Sequence, residues 1–185
     1  FTYRVNDQQR ERIPQAGKLI IIANHPIGTL DGLALIKCVK ASRSDVKVIA
    51  NNMLMAIQPL HEILLPVNNM QGGTQKQNIQ NINLHLRNEG ALIVFPAGEV
   101  SRLRPHGIRD TKWQSGFLKM AKINHCPILP VYLDAQNSAF FYGVSMLYKP
   151  AASALLVKEM FKKKNKNMDI TIGELIPPDA FTQLS

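Results

Sequence analysis

At 185 residues, with 45% hydrophobic and 19% charged side chains, the chain is long enough to bury a core and too polar to be membrane-integral. Its 22 Lys and Arg against 13 Asp and Glu give a formal charge of +9, which favours an anionic partner: nucleic acid, acidic lipid or a phosphorylated substrate. Aromatic residues make up only 6%, and no aromatic-rich basic strand of the RNA-binding kind occurs, so nucleic acid is not expected as the partner.

In chain order, the polar stretch NDQQRERIP (residues 6–14) reads as an exposed lead-in. It lacks the charged-then-apolar layout of a leader, which suggests a cytoplasmic protein. The first apolar run, LIIIA at 19–23, is far shorter than the ~20 residues of a spanning helix and reads as a strand. A helical pattern follows over 31–41, with Leu33, Ile36 and Val39, or Leu35 and Val39, facing inward. Further apolar runs at 46–50, 63–67, 91–95, 128–133 and 170–172 show little alternation, which suits strands buried on both faces of a largely parallel sheet. Before residue 91, Thr74-x-x-Gln77 resembles a capping box, Ile79, Ile82 and Leu86 make a stripe, and Gly90 is positioned to end the helix. A third helix is predicted over 111–124, with Phe117, Met120, Ala121 and Ile123 apolar. SAFFYGVSMLYKP (138–150) is compatible with loop, short strand or helix, and 151–164 reads as a helix running into KKKNK. Strands alternating with helices predict an α/β fold: a single-domain sandwich over 1–185 with a central, largely parallel sheet flanked by helices. Its core motifs fall in 18–133, and its C-terminal helix and last strand in 151–176.

Cys38 and Cys126 lie far apart, and the adjacent His125 alone makes no zinc site, so two buried free thiols and no metal centre are expected.

Ligands of open α/β sheets sit where strands end and helices begin, and ANHPIGTLDG occupies such a junction. Asp31 heads a helical pattern, where an N-cap role alone would explain a carboxylate. A capping Asp can also accept from an imidazole N–H, fixing the His25 tautomer and leaving the other nitrogen as a base. No Gly-x-Ser-x-Gly elbow is present, so a base at His25 points to a nucleophile supplied by the substrate, as in a transferase. A second cluster, ALIVFPAGEVSRLRPHG at 91–107, ends a strand in a Pro-Ala-Gly turn. It then presents Glu99, Ser101, Arg102 and Arg104, with His106 and Arg109 behind. Such a turn is either an anion seat, since Arg grips oxyanions in a bidentate manner, or a solvated basic loop. QGGTQKQ lacks Gly-Lys-Ser/Thr, which argues against a nucleotide phosphate loop.

Together these blocks resemble the glycerolipid acyltransferases, relatives of lysophosphatidic acid acyltransferase. The shared features are Asn24-His25 with Asp31, Phe95-Pro96-x-Gly98 with Ser101 and Arg102, and ILPVYL with Pro130, in that order. The resemblance covers about residues 18–133 and extends less securely to DITIGELIPP. Five residues rather than four separate His25 from Asp31, and Gly28 can absorb the extra one through an unusual dihedral. Ala97 stands where the family has Glu, with Glu99 two positions later, and Asn68 and Asn69 stand near the family's block after the third strand. The longer loop is similar to that of a bacterial subgroup, which includes enzymes acting on lyso-ornithine lipid and hemolysin-like acyltransferases.

The resemblance implies a glycerol-3-phosphate acyltransferase-like fold and transfer of a fatty acyl chain from a thioester of acyl carrier protein or coenzyme A to a lysolipid hydroxyl. It requires no cofactor beyond that co-substrate. His25 and Asp31 would be the catalytic pair. The substrate-binding set would be Asn24, Gly28, Pro96, Gly98, Glu99, Ser101, Arg102 and Arg104, with the two arginines on the acceptor's phosphate or other anionic head. Oxyanion donors would come from the amides of 26–29 or of the Gly98 turn. Peripheral contact with the anionic inner face of the cytoplasmic membrane is expected from Lys158, Lys162, Lys163, Lys164 and Lys166 around Met160 and Phe161. A catalytically silent lipid- or carrier-binding relative is the alternative, if the longer loop misplaces Asp31.

Overall fold

The Leu-Ile-Ile-Ile-Ala run is buried at all five positions, because it lies in the middle of a sheet covered on both faces. The computed structural model describes residues 2–51, 54, 57–67, 76–147, 155–156, 158–159 and 167–182. The elements run β1 (Thr2–Val5), α1 (Asp7–Arg10), β2 (Leu19–Ala23), α2 (Thr29–Lys40), β3 (Val46–Asn51), a 3-10 helix (Gln58–Ile63) and β4 (Leu64–Val67). They continue α3 (Lys76–Arg87), β5 (Ala91–Val94), β6 (Arg102–Arg104), β7 (Gly107–Arg109), α4 (Gly116–Asn124), β8 (Ile128–Asp134), α5 (Ala139–Leu147), β9 (Asn167–Ile172) and α6 (Asp179–Thr182).

Seven strands form one sheet in the order β1-β9-β8-β2-β5-β3-β4. β2 pairs in parallel with β5, Leu19 opposite Ala91, and with β8, Ile20 opposite Ile128. The antiparallel junction is β8–β9, beyond which β1 adds parallel to β9. This is the α/β sandwich expected of the apolar runs. The period of two sends Leu19, Ile21 and Ala23 to the face covered by Ala34, Leu35 and Val39 of α2. Ile20 and Ile22 go to the face covered by Ile82 and Leu86 of α3 and Ala121 of α4. Each such fully buried Leu or Ile stabilises the fold by about 1.5–3 kcal/mol.

Three expectations differ from what is observed, and one holds in part. Asn6, Asp7, Gln8 and Glu11 of the lead-in are exposed as expected, while Ile13 is buried, Arg12 Nη1 donates to Ile172 O (2.6 Å) and Gln9 Oε1 accepts from Ile172 N–H (3.1 Å). The left-handed residue after α3 is Glu89 (φ 62), not Gly90. Gly90 is needed for a different reason, since a Cβ there would collide with the His85 ring. α4 starts at Gly116 rather than 111, because the preceding residues bond elsewhere, as described below. Helix α2 starts at Thr29, so Asp31 is its third residue and Gly28 the N-cap. Residues 138–150, open to three readings, contain α5.

Asn68, Asn69, Thr74, Met160, Phe161 and Lys162, Lys163, Lys164 and Lys166 lie outside the described residues; Leu155, Leu156, Lys158 and Glu159 are helical. Cys38 and Cys126 are free and fully buried, and burial pushes the Cys126 thiol up to about 12. Among the described residues no helix is long and apolar enough to cross a membrane.

Candidate active site

The end of β2 is pinned before it reaches the site. Asn24 Nδ2 donates to Leu133 O (2.9 Å) and its Oδ1 accepts from Leu133 N–H (2.7 Å), so this side chain serves the β2–β8 junction. The chain then turns through His25 and Gly28, whose φ of 103° lies in the region glycine favours. That turn accommodates the fifth loop residue. It folds Asp31 back so that Oδ2 accepts from the N–H of Ile27 and of Gly28, both at 2.9 Å. The same oxygen lies 3.0 Å from His25 Nδ1.

Asp31 is fully buried. Burial pushes its carboxyl above the ordinary range, opposed by His25 and the two amides. The ring nitrogen approaches off the line of a well-directed hydrogen bond, so the contact draws its strength from charge once the imidazole is protonated. On its other side the imidazole stacks on Phe95, with centroids 4.5 Å apart and planes tilted by 31°.

His25 borders a cavity of about 170 Å³ whose wall is mainly apolar, with Ile36, Val48, Leu60 and Leu64 among its lining. Gly28, Thr29 and Gly98 line it too. Nδ1 lies beside Asp31, so Nε2 is the ring nitrogen on the side away from that carboxylate.

The second sequence block meets the first through main chain. Ser101 N–H donates to His25 O at 2.8 Å. Gly98 (φ 69) makes the turn after Pro96, and its own N–H is taken by Phe95 O. Pro96 O accepts from Gln114 N–H. Ser101 Oγ donates to Asp110. Arg102 does not line the cavity. Its Nη1 donates to Ser145 Oγ (2.6 Å), its guanidinium lies 5.5 Å from the Phe141 ring centroid, and Glu99 Oε2 is 3.9 Å from its Nε. Arg104 and Arg109 are exposed on the β6–β7 hairpin, whose turn carries His106.

The site therefore gathers His25, Gly28 and Gly98 at the cavity, with Asp31 buried beside the imidazole, Ser101 and Pro96 bonded through main chain to the neighbouring segments, and Arg102 directed to α5. Residues outside the expected catalytic and substrate-binding sets complete it: Phe95, part of the quoted Phe-Pro-x-Gly motif, under the imidazole, Thr29 at the cavity, and Asp110 with Trp113 behind the His25 main chain. An acid closing the cationic run RLRPHGIRD was the available signal for Asp110. Among the described residues no group of three or more His, Cys, Asp or Glu is placed to hold a metal ion.

A His–Asp pair thus stands beside an apolar cavity on the C-terminal edge of a parallel sheet. The chain belongs to the acyltransferase family, whose model matches residues 1–183. It is 30% identical over 179 residues to the lyso-glycine lipid O-acyltransferase of Phocaeicola vulgatus, covering 92% of this chain and 63% of that protein. To the lyso-glycine lipid O-acyltransferase of Bacteroides thetaiotaomicron it is 31% identical over 179 residues, covering 92% and 65%. The chain thus spans less than two thirds of the length of the curated relatives it matches. The crystal structure of the 1-acyl-sn-glycerophosphate (LPA) acyltransferase PlsC from Thermotoga maritima shares the fold. It superposes with a TM-score of 0.60 at 17% identity, over 99% of this chain and 64% of that one.

Proposed function

We propose that the chain transfers a fatty acyl group from an acyl thioester to the hydroxyl of a lysolipid. The observation that carries this reading is the 3.0 Å contact of His25 with Asp31 beside the apolar cavity. His25 Nε2 takes the hydroxyl proton as the lysolipid oxygen attacks the thioester carbonyl, and Asp31 stabilises the imidazolium. Collapse of the tetrahedral intermediate breaks the C–S bond and leaves the new ester, while the imidazolium returns its proton to the departing thiolate. General-base help of this kind contributes about 10²–10⁴ in rate. The acyl chain occupies the cavity.

For the oxyanion donor we favour the 26–29 loop over the Gly98 turn, since the Gly98 N–H is taken by Phe95 O. Pro26 has no N–H, and those of Ile27 and Gly28 are directed to Asp31. Thr29 N–H remains, at the positive end of the twelve-residue α2.

The acceptor class we favour is a lyso-glycine lipid, the class in the names of both curated relatives. Arg104 and Arg109 are the exposed cations of the second block and would meet an anionic head, while Arg102 anchors their hairpin to α5. The donor is acyl carrier protein or coenzyme A. Peripheral contact with a membrane is part of this reading: α5 offers Met146 (69% exposed) and Leu147 (88%) on a helix without a charged residue, next to the hairpin whose Arg104 and Arg109 would favour an anionic surface, and the side we favour is the cytoplasmic one. The test is product mass after incubating the protein with each acyl thioester and lyso-glycine lipid, lyso-ornithine lipid or lysophosphatidate. One acylated product with stoichiometric thiol release is expected, largest for the lyso-glycine lipid. No thiol release with any pairing would end the reading.

A further inference from the structure

Resting on the reading of His25 as the base, we propose that Asp110 is a positioning residue for acyl transfer. It is a second carboxylate that acts on the main chain of His25 while Asp31 acts on its ring. The carboxylate of Asp110 accepts the His25 N–H with both oxygens at 3.2 Å. The same group accepts from Ser101 Oγ and, at 3.0 Å, from Trp113 Nε1. Ser101 in turn donates its N–H to His25 O at 2.8 Å. Both polar main-chain groups of His25 are therefore held by the segment after β5, and Asp110 is the point where those bonds converge.

The residues around Asp110 bind the neighbouring turn in the same way. Thr111 Oγ1 donates to Ala97 O (3.1 Å), and Gln114 N–H to Pro96 O (3.0 Å). Residues 110–114 thus strap the turn that carries Phe95 and Gly98 to the loop that carries His25, which is why α4 cannot begin at 111. The imidazole sits between Phe95 and Asp31, on two different segments. Its aim therefore depends on the two segments keeping their relative position, and Asp110 joins them. Without it, His25 keeps its ring partners but loses the anchor that sets their distance to the cavity. A misplacement of about 1 Å at a reacting group can cost roughly 10²-fold in rate.

Asp110→Ala, Asp110→Asn and Trp113→Phe test this, each made in the wild-type and the His25→Ala background of the full chain, with kcat and KM read from thiol release. Asp110→Ala is expected to lower kcat by about 10²-fold with little change in KM for either substrate. Asp110→Asn is expected to recover most of that loss. Its Oδ1 can still accept from His25 and Trp113 while its Nδ2 donates to Ser101 Oγ after the hydroxyl turns. Trp113→Phe, which removes one donor and keeps the ring against Phe117, is expected to lower kcat a few-fold, and it serves if Asp110→Ala does not fold. In the His25→Ala background all three effects should vanish, since the residue acts through His25. Equal losses in both backgrounds, an Asn variant no better than Ala, or wild-type kcat in Asp110→Ala beside an inactive His25→Ala would each overturn the proposal alone. A fully active His25→Ala would remove the reading beneath it as well.

Discussion

Replacing Asp31 by Asn separates what this carboxylate does for the fold from what it does for the reaction. One oxygen, Oδ2, accepts the N–H groups of Ile27 and Gly28 at 2.9 Å, and the amide oxygen of Asn can keep both. The other, Oδ1, is buried without a hydrogen-bond partner, so no existing bond is broken there. Asn also removes the charge whose burial pushes the carboxyl pKa up. Its NH2 would occupy the partnerless Oδ1 position, which offsets part of that gain, so the Asn variant should stay near the wild type in stability and well above Ala. Asp31→Ala strands two buried N–H donors at about 1–3 kcal/mol each, roughly 2–6 kcal/mol together. At about 2–4 °C per kcal/mol for a chain of this size, its thermal midpoint should fall by roughly 4–24 °C.

In the proposed mechanism both variants lose the group that stabilises the imidazolium, and thiol release in the presence of lysolipid should drop by about 10²–10⁴. The pH dependence has a definite sign. The folded pKa of Asp31 is raised above its unfolded value, so its stabilising contribution is full below the ordinary value of 3.8 and is lost as pH rises through the folded pKa. Denaturant midpoints across that window should show the wild type losing stability relative to Asp31→Asn. An Asn variant as unstable as Ala, or one turning over within tenfold of wild type, would refute the reasoning.

Three other outcomes are expected. Val48→Phe, in the cavity wall, should shorten the preferred acyl chain. At about 0.8 kcal/mol per methylene, excluding roughly three of them lowers kcat/KM for the longest chain about 60-fold, as a donor-length series would show. Met146→Ser with Leu147→Ser should weaken flotation with anionic vesicles by about tenfold or more while leaving turnover on detergent-dispersed lysolipid unchanged, since each side chain withholds about 1.5–3 kcal/mol of burial. Gly28→Ala should lower stability by about 1–3 kcal/mol in denaturant titrations and reduce turnover. The cause is dihedral, because the added Cβ would meet Leu156 at an ordinary 3.6 Å while φ stays at 103°.

The parts of this fold legible from the sequence are those whose physics is local. Continuous aliphatic runs mark β2 and β5 because both faces of those strands are covered, whereas β8 alternates in its second half, where Tyr132 and Asp134 are exposed. His25 and Asp31 can be paired from sequence because one strand-to-helix turn joins them, and Gly28 supplies the bend. Contacts that depend on distant partners leave no such trace. The Asp110 carboxylate reaches His25 across 85 positions, and β1 finds its partner β9 across the length of the chain. Arg102 shows the opposite limit. A cation after a Pro-Ala-Gly turn reads as an anion seat, yet α5, a segment whose residue pattern fits loop, strand or helix, places Phe141 and Ser145 against it.

The central claim is that the imidazole of His25 moves the hydroxyl proton. It is tested most directly by steady-state acyl transfer to lysolipid by His25→Ala, measured with its thermal midpoint. Turnover reduced about 10²–10⁴-fold, in a protein that melts as the wild type does, is the predicted result. Wild-type turnover in that variant would contradict it.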